Sequence, residues 1–462
     1  MPKGASQPLS LDIASAARVI AHRMSGGQRA ESAVSPAVRD LIYRGSRYWG
    51  LAQVRSARLA AKNPPDAQIL AVLAIAWAAI DQQLRAAHVV VDESVAAVKH
   101  LVGKKSGSRH AEKLAGFVNA LLRKSLADPD TAQGDRDQPM ARWNAPTWWI
   151  DRVMKDHAAQ APAVLDALAA RAPLTLRVCD TAISIKDYLA GLSEQGLCGL
   201  QVGPRAVVIE PPLPVERIPG FSQGMVSVQD SAAQHVADIF QALGNRLGRP
   251  PVILDACAAP GGKAFAMIQS LACEVWAIDA SAVRLDRMRR DLARVTQVAR
   301  GTVQMRVLDV LDESAWSGSG LPKVFDAILL DAPCTASGIT RRQPEIAWRR
   351  QPADLRHVAD TQRRMLDILW RRLAPGGELV FVTCSVFALE GEEQQQAFLA
   401  RTPDARPMPS PGRLLPISDA AGGCDQDGFF YARFEKVEHT HGSVADAALG
   451  SQPGPCGSCQ RD

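Results

Sequence analysis

The chain has 462 residues, more than one ordinary domain holds and enough for two or three. Hydrophobic residues make up 47% and charged residues 22%, a globular balance that excludes a wholly disordered chain. The net charge of +5 is unevenly spread: up to Leu126 there are 18 Lys and Arg against 8 Asp and Glu, and 35 against 40 thereafter. A basic front on a mildly acidic body suits a polyanion partner, although a solvated helical surface would carry the same charge.

The first residues, MPKGASQPLSLDI, lack the basic-then-apolar pattern of a secretory signal. The longest apolar run, Ile69–Ile80, has 12 residues. A membrane span needs roughly 20, so this run is predicted as a buried helix. The nine cysteines show no disulfide spacing. The expectation is a cytoplasmic protein with reduced thiols, no membrane association and no obligate protein partner.

Residues 10–126 read as an all-α domain. Within Lys113–Lys124, Leu114, Phe117, Val118, Leu121 and Leu122 fall on one helical stripe. Lys99, His100, Lys104, Lys105, Arg109 and His110 add a basic patch. Residues 127–139, ADPDTAQGDRDQP, are nearly devoid of apolar side chains and are expected to be a linker. Residues 140–220 read as a small α+β module. Trp143, Trp148, Trp149, Ile150 and Val153 suggest a helical start, and strands at Leu174–Val178 and Ala206–Ile209 flank a helix near Ile185–Leu197. Residues 221–437 alternate strands and helices, the signature of an open, mostly parallel α/β sheet. The segment 438–462, rich in Gly, Ser and Pro, is expected to be a disordered tail.

In the α/β part, the strand Pro251–Ala256 runs into a small-residue loop, Cys257, Ala258, Ala259, Pro260, Gly261, Gly262 and Lys263, and then into a helix. Gly261 and Gly262 let a ligand approach the backbone at a helix N-terminus. The loop is neither the dinucleotide G-x-G-x-x-G nor a Walker loop. Four successive strands end in acids, Asp255, Asp279, Asp309 and Asp331. Any one could be a helix cap; four together line the end of the sheet where ligands bind. Asp279, about 20 residues past the loop, suits ribose hydroxyls. An acidic lining disfavours phosphates and favours a cationic nucleoside, with S-adenosylmethionine the candidate cofactor.

The fourth strand continues into Asp331-Ala-Pro-Cys334, and a fifth, Glu378–Val382, into Thr383-Cys384-Ser385. A single buried cysteine is usually inert packing. Two at neighbouring strand ends beside a cofactor loop are not readily dismissed, and neither has the short-spaced ligands of a zinc site. A thiolate has a definite use here. Added to carbon 6 of cytosine, it makes carbon 5 nucleophilic enough to accept a methyl group, and loss of the carbon-5 proton then expels the thiol. Asp331 is close along the chain and could hold N3 of the ring.

The pieces DACAAPGGK (255–263), DAPCTASGITRRQPEI (331–346), TCSV (383–386) and GMVSVQDSAAQ (224–234) resemble the Sun/Fmu-type RNA cytosine-5 methyltransferases. PLTLRV (173–178) looks like that family's small RNA-binding module, and the helical front with FVNALLRK (117–124) looks like its NusB-like domain, a layout most similar to the bacterial 16S ribosomal RNA (RsmB-like) branch. The resemblance implies three parts: an all-α NusB-like N-terminal domain, a small α+β RNA-binding module, and a C-terminal Rossmann-like methyltransferase domain. It implies Cys384 as the nucleophile and Cys334 as an aid to release of the product. It places S-adenosylmethionine on Cys257–Lys263 with Asp279, Asp309 and Asp331, and makes RNA, small-subunit ribosomal RNA above all, the partner. Transfer RNA is the alternative substrate, and an RNA-binding protein without catalysis is a further one. Departures from the family pattern are Phe387-Ala-Leu-Glu390-Gly after TCSV, Gln426 before Asp427-Gly-Phe-Phe, Thr335 after the Pro-Cys pair, and Cys179. Arg341, Arg342, Arg349 and Arg350 could meet RNA phosphates or form salt bridges. Arg284, Arg287, Arg289, Arg290 and Arg294 suit a solvated helix face. Cys456 and Cys459, with His439 and His441, have zinc-like spacing in a tail unsuited to a metal site.

Overall fold

The structure, a computed structural model, describes residues 7–27, 34–102, 108–417 and 425–437. Lys104, Lys105, the segment 438–462 and with it Cys456 and Cys459 lie outside the described residues.

The apolar run near residue 70 becomes the helix Ala67–Asp81, buried along its whole middle. It starts where the Asp66 carboxylate accepts from the backbone N–H of Gln68 and Ile69, which satisfies two donors that a helix start leaves open. Helices Leu9–Met24, Pro36–Arg47, Trp49–Leu59, Ala87–Val102 and Ser108–Ala127 accompany it. The last of these turns Val118, Leu121 and Leu122 into the shared core, as its stripe predicts.

The stretch expected as a linker is instead the helix Pro129–Asp137, capped by Asp128 accepting from Thr131 N. Composition misleads because ion pairs do the anchoring, Arg136 with Asp81 at 2.6 Å among them. Asp135, 2% exposed, pairs with Arg55 at 3.1 Å and Arg58 at 2.6 Å. Arg55 also donates to Ala132 O. The helix thus belongs to the front unit.

Next come helices Pro139–Arg142, Thr147–His157 and Ala161–Ala169, then strands β1 (Leu174–Val178), β2 (Cys198–Gln201), β3 (Ala206–Glu210) and β4 (Val226–Val228), with helix Ile185–Glu194 after β1. The strands form an antiparallel sheet in the order β2-β3-β1-β4. β4 lies inside GMVSVQD, so a boundary at 220 cuts the sheet, and the module reaches at least Val228. The two longer preceding helices pack elsewhere: Trp149 and Val153 join Val386 and Phe387 in a core separate from that of the small sheet.

The third part has β5 (Val252–Ala256), β6 (Glu274–Asp279), β7 (Thr302–Val307), β8 (Phe325–Asp331), β9 (Leu373–Thr383), β10 (Ala405–Leu414) and β11 (Phe429–Lys436), in the order β10-β11-β9-β8-β5-β6-β7. β5 to β9 pair in parallel, while β10 and β11 are antiparallel. The five parallel strands match the mostly parallel sheet expected, with apolar cores on both faces. The chain runs outward from β5 to β7, then returns to the other side of β5 as β8. That reversal opens a crevice beyond the C-terminal ends of β5 and β8, where open α/β sheets bind ligands.

Candidate active site

The loop after β5 is shaped by backbone demands. Cys257 has φ of 64° and Gly261 of 105°. A Cβ at Gly261 would sit 2.8 Å from Met288 Cγ and from the Phe265 ring, so only glycine turns the chain there. Gly262 then opens the helix Gly262–Ser270. Ala258 and Ala259, within the loop, are buried. Burial pushes the Cys257 thiol up to about 12.

The four strand-end acids have different situations. Asp255 is fully buried, neither carboxylate oxygen has a well-formed hydrogen bond among the described residues, and burial with the nearby Asp331 charge raises its pKa well above the usual range against the opposing Lys263 charge and Ala264 N–H. Asp279 is also buried. It accepts from Ala259 N and Ser281 N and pairs with Arg284 at 3.1 Å, so it braces the loop as well as facing it. Asp309 is exposed just past β7 and accepts from Leu311 N. Asp331 is partly exposed and pairs with Lys263 Nζ at 2.7 Å.

Lys263 is the sequence residue whose role changes most. Placed in the cofactor loop, its side chain instead reaches across to β8 and lies 5.3 Å from the Phe429 ring. Burial opposes its charge, but Asp331, with Cys384 and Asp255 adding to it, outweighs burial and raises its pKa. The cation is therefore consumed internally. What remains around the small-residue loop is a set of carboxylates, chemistry that fits a positively charged, phosphate-free nucleoside such as S-adenosylmethionine.

The parallel register of β8 and β9 sets Asp331 opposite Val382 and brings the following turns together. Cys334 Sγ and Cys384 Sγ are 3.3 Å apart. A disulfide needs about 2.05 Å, so these are two thiols in contact. The hydrogen bond to Cys384, then burial, holds the Cys334 thiol well above its ordinary pKa. Arg350 donates to the carbonyls of Cys334 and Thr335, and Gln362 to that of Pro333. Glu390, fully buried, accepts from Thr335 and Ser385. Gly338 N donates to Cys384 O, and Gly428 N to Gly338 O, a close approach that leaves no room for a Cβ at Gly338.

Arg341, Arg342 and Arg350 are bracing groups rather than free phosphate ligands. Arg341 pairs with Asp425 and Asp427, and Arg342 with Asp230 and Asp427. Burial with the nearby Asp230 charge pushes the Asp427 carboxyl up to about 7. In the helix Ala282–Val295, Arg284 donates to Ala259 O, and Arg294 lies 4.0 Å from the Phe221 ring while donating to Phe221 O and Val226 O. Neither is simply solvated. Phe387 packs 4.8 Å from Trp149, and His157 Nε2–H donates to Val386 O. The unusual residues after TCSV thus seat the Thr147–His157 helix. The front unit also reaches the helix Glu345–Arg349 after the Cys334 turn: Trp348 packs against its core and Arg23 pairs with Glu345.

Residues 248–435 match the family model described as 16S rRNA methyltransferase RsmB/F, and residues 145–216 match the ferredoxin-like domain of RsmF/B-like methyltransferases. Ribosomal RNA small subunit methyltransferase B of Xanthomonas campestris pv. campestris is 37% identical over 385 residues, covering 81% of this chain and 82% of that protein. The protein of the same name from Vibrio cholerae serotype O1 is 36% identical over 362 residues, covering 76% and 77%. Among solved structures, PH0851 superposes with a TM-score of 0.70 at 21% identity, covering 94% of this chain and all of that one. A methyltransferase homolog protein from Pyrococcus horikoshii gives 0.52 at 24% identity, covering 64% and 97%. Among the described residues, no helix is long and apolar enough to cross a membrane. A Rossmann-like sheet, a ferredoxin-like module and these relatives together make the chain a member of the RsmB/F family of 16S ribosomal RNA methyltransferases, which are S-adenosylmethionine-dependent.

Proposed function

We propose that the chain methylates carbon 5 of a cytidine in small-subunit ribosomal RNA, with Cys384 bonding carbon 6 of the ring. The observation that carries this reading is the contact of two sulfurs, 3.3 Å apart, beyond β8 and β9 beside the Lys263–Asp331 pair. Asp279, Asp309 and Asp331 with the loop Cys257–Lys263 would hold S-adenosylmethionine, which supplies an electrophilic methyl group when bound.

The remaining work falls to the chain's own groups. Asp331, oriented by Lys263, takes the Cys384 thiol proton and passes it to N3 of the cytosine, which draws electron density from carbon 6. The Cys384 sulfur adds there, and carbon 5 becomes the nucleophile. After methylation, solvent water takes the carbon-5 proton, the double bond re-forms, the carbon–sulfur pair leaves with Cys384, and the N3 proton returns through Asp331 to that sulfur. Cys334, held as a neutral thiol, donates a hydrogen bond to the departing sulfur and so speeds release.

The helical front unit is read as a NusB-like RNA-binding domain on the resemblance of residues 117–124 to that family's front domain, and its basic composition suits RNA. A groove of about 640 Å³ between it and the small sheet, lined by Arg39, Tyr43 and Arg171 among others, offers RNA a basic and aromatic surface.

Methyl transfer to ribosomal RNA by Cys384→Ala and Cys334→Ala proteins tests the assignment. Cys384→Ala should be inactive. Cys334→Ala should accumulate an RNA adduct that survives denaturation. Normal turnover by Cys384→Ala refutes the nucleophile, and fast clean release by Cys334→Ala refutes the second role.

A further inference from the structure

Glu390 is 0% exposed, and it touches both cysteine turns at once. On the Cys334 side, Thr335 N donates to Oε1 at 2.7 Å and the Thr335 hydroxyl donates to Oε2. On the Cys384 side, the Ser385 hydroxyl donates to Oε2 at 2.6 Å. Gln362 Nε2 donates to Oε1 at 3.2 Å and to Pro333 O at 2.9 Å. The main chain is tied as well, since the Thr383 hydroxyl donates to Glu390 O at 3.0 Å.

The proton directions are consistent throughout. Four donors meet two oxygens, an arrangement that suits an acceptor-only carboxylate. Ser385 Oγ, having given its proton to Glu390, is free to accept from Phe387 N and from the Ser337 hydroxyl 2.8 Å away. Ser337 Oγ in turn accepts from Val386 N. Burial raises the Glu390 pKa, and its donors oppose that shift. Each of these donors is neutral. A buried carboxylate without a cation is a poor source of stability, because an apolar side chain of similar size would cost less to bury. What the carboxylate does supply is a fixed span between residues adjacent to the two thiols. Its charge also contributes to holding Cys334 in the thiol form.

We propose that Glu390 is a positioning residue for the thiol pair: its carboxylate clamps the turn after Cys334 to the turn after Cys384 and sets the sulfur–sulfur separation. This rests on the two-thiol reading given above.

The separation can be read without any methyl transfer. In a glutathione buffer, the two thiols and one oxidised glutathione exchange to an intramolecular disulfide and two reduced glutathiones. The equilibrium gives the effective concentration of one thiol at the other. Glu390→Gln fills the same space but turns an NH2 toward donors that need an acceptor, and should lower that effective concentration at least tenfold. In steady-state assays the same variant should lose at least tenfold in kcat, with KM for RNA and for S-adenosylmethionine within twofold of wild type. Thr335→Val, which removes one donor, should show a smaller loss of both and add nothing when combined with Glu390→Gln. If Glu390→Gln fails to fold, Thr335→Val carries the test alone. A thiol equilibrium within twofold of wild type in the folded variant overturns the clamp, whatever happens to turnover. A shifted equilibrium in a protein that does not methylate cytidine upholds the clamp and removes the chemistry instead.

Discussion

Replacing Lys263 by Met removes the ammonium that faces Asp331 while keeping a long, flexible, apolar side chain in its buried channel. At the observed 2.7 Å, the gross attraction is about 6 kcal/mol for an effective dielectric near 20. Desolvation of the lysine offsets most of that, and a hydrogen bond between charged groups nets roughly 1.5–3 kcal/mol. If that energy orients Asp331 against the ring during attack, about 2 kcal/mol should appear in the barrier, or roughly a 30-fold fall in kcat/KM. Single-turnover methyl transfer to ribosomal RNA measures it directly, with binding of S-adenosylhomocysteine as the check that the loop is intact. A Lys263→Met enzyme within threefold of wild type would show that the pair is only a brace and that Asp331 works without it.

Two further outcomes concern stability. Asp135→Ala strands Arg55, which is 1% exposed, and should cost about 3–5 kcal/mol, whereas Arg58→Ala, at the open side of the same pair, should cost about 1 kcal/mol or less. Urea unfolding of the front unit checks the contrast, and equal small losses would return residues 127–139 to the status of a tether. Asp255→Asn should stabilise the cofactor-free protein, because the native carboxylate is buried without a well-formed hydrogen bond among the described residues and its pKa is raised. The sign follows from linkage: the folded state holds this proton more tightly than the unfolded state, so wild-type stability falls as pH rises above about 4, the unfolded value. The advantage of the Asn variant should therefore be absent below about pH 4 and grow toward neutrality in thermal melts; a gain that is largest in acid contradicts the reasoning.

The elements that could be read from the chain are those whose causes are local. The apolar run at 69–80, the glycine turn at 261–262 and the strands ending in Asp279 and Asp331 each carry their signal within a few residues. The pairing of Cys334 with Cys384 was legible because both stand just past strands, and neighbouring parallel strands bring such positions together. What could not be read depends on partners far along the chain. Asp135 looks like part of a polar tether until Arg55, 80 positions away, is found against it. The arginines at 341 and 342 look available for phosphate until Asp425, Asp427 and Asp230 fold over them. β4 sits in a stretch that leads into the methyltransferase part, and only its pairing with β1 assigns it to the smaller sheet. Glu390 stands where the sequence departs from its relatives' pattern, and its hydrogen bonds to Thr335 and Ser385 are invisible before the turns meet.

The most direct measurement of the central claim is to trap the covalent complex on RNA carrying 5-fluorocytidine, digest it, and identify the modified cysteine by mass spectrometry. Fluorine at carbon 5 leaves no proton to remove, so the carbon–sulfur bond should persist. The account requires the RNA fragment on Cys384, with Cys334 unmodified. A fragment attached to Cys334, or a methylated product formed with no sulfur bonded to the base, would contradict it.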